Sequence, residues 1–524
     1  MRKGKLQNIK IISAGAGSGK TYRLTEEMVA LLKGGVRASG IIATTFTNKA
    51  AAELQERVRI KLLEQNLTDE ADQLANALIG TVHGLGVKLL KRFAFEAGVS
   101  PQVDIIADGD HQFMFNQSLS TVLTQERMEQ MEHFSNRLGL NKKGDYDWRK
   151  AVKDVTDIAR ANDFSTEVLE KSKVLSFDEF KKFLGKPSKK SSEAMLAELK
   201  GELARTIEEL EANEDSTKVT QGGVDTFKSM LKKLNLKGAL EWHEWVKISK
   251  TKVGAKSRDA VENLKDIALK HDSDPAFHQD IQQFIYGIFD IAIEAIKEYE
   301  TYKKRRGLID YTDMELKVKQ FLVNPQVQEV LKQELDLLMV DEFQDTSPIQ
   351  LEIFLKLSQF AKHSIWVGDP KQSIYGFRGA DPSFMMEIIK QSGGVKKEDI
   401  QIYSWRSRAG VVNATNAIFC KAFSDLPEAQ VALEPQRTEE KLKKEVKDQE
   451  MLAFVGNPLI HWHMHYDGEK RMPGRPWMEN CIATSIKKTL ESGKLVFPKE
   501  EAEPRLIEPG DIAVLCKSLS LIHI

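Results

Sequence analysis

A lysine and a threonine closing a glycine-rich run, "SAGAGSGKT" at residues 13–21, are the first residues with an evident chemical use. The run follows a short apolar stretch, "IKIIS" at 9–13, and opens a segment of helical periodicity. Small residues between a strand and a helix let backbone N–H groups curl around phosphate oxygens at the positive end of the helix. In such a loop Ala14, Gly15, Ala16, Gly17, Ser18 and Gly19 form the cradle. Lys20 then contacts the β- and γ-phosphates of ATP, and the Thr21 hydroxyl ligates Mg2+. Ala14 stands where the usual pattern has its first glycine. A glycine-rich turn that binds nothing is the competing reading, and the strand before and helix after count against it.

"LLMVDEFQDT" at 337–346 supplies the other half of such a site. An apolar strand ends in Asp341 and Glu342, which places two carboxylates at the edge of a parallel sheet where ligands sit. Asp341 is expected to hold Mg2+ through water, and Glu342 to orient and deprotonate the attacking water. A phosphotransferase has no need of the second carboxylate for activating water, so the pair favours hydrolysis.

Such side chains need a sheet to carry them. Strand-like runs recur at 9–13, 40–45, 77–81, 336–340, 364–368 and 399–404, each followed by helical periodicity. Strands alternating with helices specify a parallel sheet covered on both faces. Helix 20–33 stops at Gly34-Gly35. Residues 98–305 read instead as helices, with lysine dense through 142–256. The expected fold is α/β: a parallel-sheet domain with a phosphate loop over 1–97 and 306–395, a helical insertion over 98–305, and a third region over 396–524. In that third region "HWHMHYDGEKRMPGRPW" reads as strand and loop, and "GDIAVLCKS" as another buried strand.

Composition excludes several classes. The 524 residues are too many for one core, and 76 basic against 77 acidic side chains leave a net charge of −1. Global charge is therefore silent on nucleic acid, and any basic surface must be local. Cys420, Cys481 and Cys516 have no paired spacing, which fits a reducing cytoplasm and argues against a zinc module. The basic N-terminus lacks the apolar run of a signal peptide, and no stretch of ~18 apolar residues could span a membrane.

One further stretch, "WVGDPKQSIYGFRGAD" at 366–381, sets a glutamine just before two aromatic rings and an arginine. Together with "TTFTNKAAAEL", "GTVHGLGVKLL", "LIDYTDM", "VDEFQDTSPIQ" and "SWRS", it makes the chain resemble superfamily 1 DNA helicases of the UvrD/Rep kind. The motifs stand in that family's order, and "DPKQ", "FRGADP" and "WRS" lean towards the RecB-like helicase–nuclease branch. The resemblance implies that Gln372 senses the γ-phosphate while Tyr375 and Phe377 stack on bases of single-stranded DNA, with Arg378 contacting DNA or bracing the loop. Stacking is worth ~1–3 kcal/mol per base and ignores base identity, which suits a motor. It implies DNA contacts at Phe46 and Asn48 and at Thr81 and His83, an adenine stack on Trp405, and an arginine finger at Arg406. Tyr22 stands where the family often has arginine, with Arg23 one place later, and Gln7 lies close for an adenine-reading glutamine. Adenine preference is thus open.

Other signals carry less. His461, His463 and His465 would share a strand face, but no carboxylate or cysteine completes a metal site. Asp310 and Asp313 look superficially like a nuclease pair, but their position matches a structural helicase segment. The lysine-rich helices either guide DNA or are solvated faces.

The resemblance implies that the sheet domain is a RecA-like motor domain and that 396–524 is part of a second RecA-like domain. The whole is then an ATP-dependent 3′–5′ helicase of DNA repair or recombination. Its expected partners are single-stranded DNA, single/double-strand junctions and helicase or nuclease subunits. Later family motifs are not found after "LSLIHI", so the sequence reads as an N-terminal portion that binds Mg-ATP weakly, binds single strands and turns over slowly. A catalytically incomplete binding module and an RNA-directed helicase are the alternatives.

Overall fold

The computed structural model describes residues 8–514 except 103, 107, 144–145, 374–381, 425, 439, 442–458, 467, 469–472 and 497–504. In chain order the strands are β1 (Ile9–Ala14), β2 (Ile41–Thr45), β3 (Leu78–Thr81), β4 (Asp104–Ile105) and β5 (Leu308–Ile309). They continue with β6 (Leu337–Asp341), β7 (His363–Gly368), β8 (Ile400–Gln401), β9 (Tyr403–Arg408) and β10 (Glu434–Arg437).

Six of them form one parallel sheet in the order β3-β2-β6-β7-β1-β8. Its middle strands are apolar at nearly every position because both faces are covered. Side chains alternate between faces with period 2. Leu338, Val340 and Trp366 enter one core with Leu89, Phe321 and Phe354. Leu337, Met339 and Val367 enter the other with Leu24, Met28 and Val58. This is the parallel α/β architecture that the apolar runs imply, and it fits the RecA-like sheet that the resemblance implies. Helix Lys20–Lys33 ends as expected, with Gly35 at φ +92°.

Between helix Val82–Arg92 and β6 the chain leaves this sheet for a run dominated by helices, with separate cores around Phe227 and Trp245 and around Trp148 and Tyr299. Helix Pro275–Arg306, 32 residues long, leads the chain back. Parallel pairing of β4 with β5 closes the point of departure and return. There the buried Lys303 and the largely covered Arg160 meet Asp310 at 3.0 and 2.5 Å, and both also meet Asp313. Asp310 and Asp313 in turn cap helix Tyr311–Phe321 reciprocally. These carboxylates are committed to a structural ion cluster, in line with the structural segment expected of "IDYTD".

The third region departs from expectation. The run expected as one strand from 399 splits after Gln401: β8 extends the main sheet beside β1, whereas β9 pairs with β10 in a separate parallel ribbon. Residues 461–466 form no strand, and the described part of "GDIAVLCKS" is a short 3-10 turn, Pro509–Asp511, followed by exposed Val514, while 515–518 lie outside the described residues. Both runs lack a neighbouring strand among the described residues, and an apolar pattern without a ladder partner does not make a strand. Antiparallel β11 (Leu495–Val496) and β12 (Arg505–Leu506) complete the region. Among the described residues no helix is long and apolar enough to cross a membrane.

Candidate nucleotide and nucleic-acid site

The glycine loop and the segments after β2, β3, β6 and β7 each leave the main sheet at the C-terminal end of a strand, whereas "LIDYTDM" begins at β5 and "SWRS" lies in β9. Along the rim the order is His83 after β3, Phe46 after β2, Glu342 after β6, Gln372 after β7 and Lys20 after β1. Adjacent strands lie about 5 Å apart. The segments expected to touch nucleic acid therefore adjoin those expected to touch phosphate.

The loop after β1 is closed by two bonds to the Gly15 carbonyl, from the Ser18 N–H at 3.2 Å and the Ser18 hydroxyl at 2.8 Å. Gly17 and Gly19 take φ +73° and +93°, which glycine adopts without the Cβ clash. Helix Lys20–Lys33 then starts with no side-chain cap, leaving its first N–H groups to a ligand. Lys20 Nζ lies 2.5 and 2.6 Å from the two Glu342 carboxylate oxygens, which joins the two motifs. Glu342 itself adopts φ +51°, ψ +43°, a left-handed conformation costing roughly 1–2 kcal/mol for a residue with a Cβ. The buried Phe343 ring and the Asp345 N–H bond to the Glu342 carbonyl at 2.9 Å hold that turn.

Burial, with the Glu342 charge beside it, pushes the Asp341 carboxyl up to about 7. A carboxyl so placed gains greatly from a cation, and a hydroxyl at Thr21 with one or two carboxylates suits Mg2+, which keeps most of its shell as water and phosphate. No cluster of three or more metal-ligating side chains occurs among the described residues.

The loop after β7 is bound into the same cluster. The Gln344 side-chain amide donates to Glu342 at 2.7 Å and accepts from the Asp369 N–H at 3.0 Å. Gln372 donates to the Asp369 carboxylate at 2.9 Å, and Lys371 pairs with the same group at 2.7 Å. Tyr375, Phe377 and Arg378 lie outside the described residues. Patterning did not single out Gln344 or Asp369. A polar residue inside a turn motif looks solvated in sequence, and Gln344 is only 2% exposed. The glycine of "VGDP" was the available signal, because a Cβ at Gly368 would fall 2.3 Å from Gln344 Oε1.

From the third region, the Trp405 N–H donates to the Gly17 carbonyl at 2.8 Å, and the Trp405 ring lies over Gly19. Arg406 packs against Gly17. Trp405 and Tyr22 are more than half exposed, and Lys61 sits over the Tyr22 ring, 5.0 Å from its centroid. Arg23 points elsewhere, pairing with Glu27 at 2.8 Å and Asp399 at 3.1 Å.

On the other half of the rim, Phe46 and Asn48 are exposed where Thr47 caps helix Asn48–Glu64. Thr81 caps helix Val82–Arg92 by accepting from the Gly84 N–H at 3.1 Å, which uses its hydroxyl in the fold. His83 stacks on Tyr311 with ring centroids 4.1 Å apart and reaches Glu315 at 3.3 Å, and its side chain stays partly exposed.

Comparison with known proteins gives a consistent set of likenesses. Residues 4–392 match the model of the UvrD/REP helicase N-terminal domain. The ATP-dependent helicase/nuclease A-subunit of Streptococcus uberis is 26% identical, over 79% of this chain and 37% of its own length. Its counterpart from Lactococcus lactis subsp. cremoris is 27% identical, over 97% of this chain and 46% of its own. The exonuclease/helicase subunit RexA of another Lactococcus lactis strain is 28% identical, over 78% and 38%. The chain thus spans less than half the length of these curated relatives.

Proposed function

This chain belongs to the UvrD/REP helicase family, and from that premise we propose that it is the ATP- and DNA-engaging portion of a motor that steps 3′ to 5′ along single-stranded DNA. The observation that carries the reading is the Lys20–Glu342 pair, set on one sheet rim beside the Phe46 and His83 segments.

ATP is the substrate. Lys20 exchanges its contact with Glu342 for the β- and γ-phosphates, and the loop from Ala14 to Gly19 cradles them. Thr21 and Asp341 hold Mg2+, which neutralises phosphate charge when bound. Glu342, released from Lys20, takes a proton from the attacking water. Gln372 reads the γ-phosphate, and Arg406 reaches it from the third region. Tyr22 and Trp405 offer their rings to adenine. Phe46, Asn48, Thr81 and His83 bind the strand together with Tyr375, Phe377 and Arg378. The relatives are named as subunits, and their names join helicase to nuclease or exonuclease. This supports a role in DNA repair or recombination, carried out with a partner subunit.

The test is ATP turnover by this chain with and without oligo(dT), against Lys20→Ala. Turnover stimulated by the oligonucleotide and lost in Lys20→Ala supports the motor. Tight binding of both ligands without turnover favours the second reading, an ATP- and DNA-binding module. Failure to bind single strands at low salt contradicts both.

A further inference from the structure

Gln344 stands between the two halves of the nucleotide site. Its backbone belongs to the turn after β6, and its side chain reaches the loop after β7. The direction of its amide is fixed by chemistry. The Asp369 N–H can only donate, so Oε1 faces it, and Nε2 must then face Glu342, whose carboxylate can only accept. The Ser373 hydroxyl adds a bond to the Gln344 carbonyl at 3.1 Å, so one residue holds both ends of the 369–373 loop. Room for this approach exists only because residue 368 is glycine: a Cβ there would meet Gln344 Oε1 at 2.3 Å and the Phe343 ring at 2.6 Å.

Glu342 has two described side-chain partners, Lys20 and Gln344. Transfer of Lys20 to a phosphate leaves Gln344 as the group that orients the carboxylate. Any displacement of Asp369, directly or through Gln372, then pulls on the same amide, and any displacement of Ser373 pulls on the Gln344 carbonyl. We propose that Gln344 is a positioning residue that links Glu342 to the 369–373 loop, so that nucleotide and single-stranded DNA each change the other's affinity through it. This rests on the motor reading above, and it adds a named mechanical link that the reading does not contain.

Binding linkage tests it without requiring turnover. Labelled oligo(dT) is titrated with the chain, with and without Mg2+ and a slowly hydrolysed ATP analogue, for the wild type, Gln344→Leu and Gln344→Glu. Leucine removes both side-chain bonds and leaves the Asp369 N–H buried and unpaired. Glutamate keeps the acceptor for that N–H and, when ionised, sets a like charge against Glu342 in place of the donor, so it serves if the leucine variant does not fold. Wild type should show a nucleotide-dependent change in DNA affinity of about 5-fold or more. In both variants the change should fall to none when DNA affinity with nucleotide is compared with the same variant's affinity without it. A linkage kept at the wild-type size in a folded variant overturns the role of Gln344 and leaves the motor reading standing. A wild type with no linkage overturns the role of Gln344 together with the coupling assumed in that reading.

Discussion

The backbone N–H of Trp405 donates to the carbonyl of Gly17 at 2.8 Å, which clips the strand carrying Arg406 onto the phosphate loop. Gly17 combines φ +73° with a neighbour so close that a Cβ would fall 2.7 Å from the Arg406 Cβ. Gly17→Ala therefore meets both backbone strain and a steric clash. Strain of about 1–2 kcal/mol should weaken Mg-ATP binding roughly 5- to 30-fold. Gly35→Ala is the control: φ is +92° there, but nothing lies within 4 Å of the new methyl and the position is outside the cleft. Titration with a fluorescent ATP analogue should show the loss in the first variant and wild-type affinity in the second.

The buried cluster of Lys303, Arg160, Asp310 and Asp313 ties the helical insertion to the sheet domain. Two cations offset two carboxylates, so removing one leaves an uncompensated buried charge. Lys303→Met should cost about 3–5 kcal/mol in denaturant unfolding. Adding Asp313→Asn restores the charge balance and keeps the acceptor that caps the helix, so the double variant should recover part of the loss. Equal instability of single and double variants would show that packing, and not charge, sets the cost.

Asp336 gives the chain an acid-sensitive joint at the start of β6. Its buried carboxylate accepts from the Arg37 side chain at 2.7 and 2.9 Å, from the Arg37 N–H at 3.1 Å, and pairs with Lys362 at 2.7 Å. The hydrogen bonds from Arg37 above all, then from Lys362, hold this carboxyl well below the usual carboxylate range. A folded-state value below the unfolded one means stability that is fully present above the unfolded value near ~3.9 and is lost as pH falls towards the folded value. Asp336→Asn should cost about 1–3 kcal/mol at pH 6 to 7. Thermal melts from pH 7 down to 3 should show the gap between wild type and variant closing only below about pH 4. A constant gap would remove the charge from the explanation.

The sheet was legible because parallel strands buried on both faces read as unbroken apolar runs, as "LLMV" does at β6. The phosphate loop and the carboxylate pair were legible for a related reason, since their spacing only makes sense at strand ends. Two things were not readable. Gln344 is polar and buried, and sequence patterning assigns such a residue to solvent. The run from 399 looks like one strand, but its split between two sheets depends on which neighbour each half finds, β1 for Ile400–Gln401 and β10 for Tyr403–Arg408. "HWHMH" and "GDIAV" carry strand-like alternation or apolarity without a ladder partner among the described residues, and so stay irregular there.

Glu342→Gln tests the central claim, because the Lys20–Glu342 pair makes its two effects run in opposite directions. The neutral amide loses the charge that holds Lys20, so Mg-ATP should bind at least as tightly as to the wild type. Without a general base, turnover stimulated by oligo(dT) should fall by about 10²–10⁴-fold. Measured side by side on one preparation, tighter or equal binding with that loss of turnover is the expected result. Stimulated turnover at the wild-type rate in Glu342→Gln would contradict the assignment of this cleft as the site of hydrolysis.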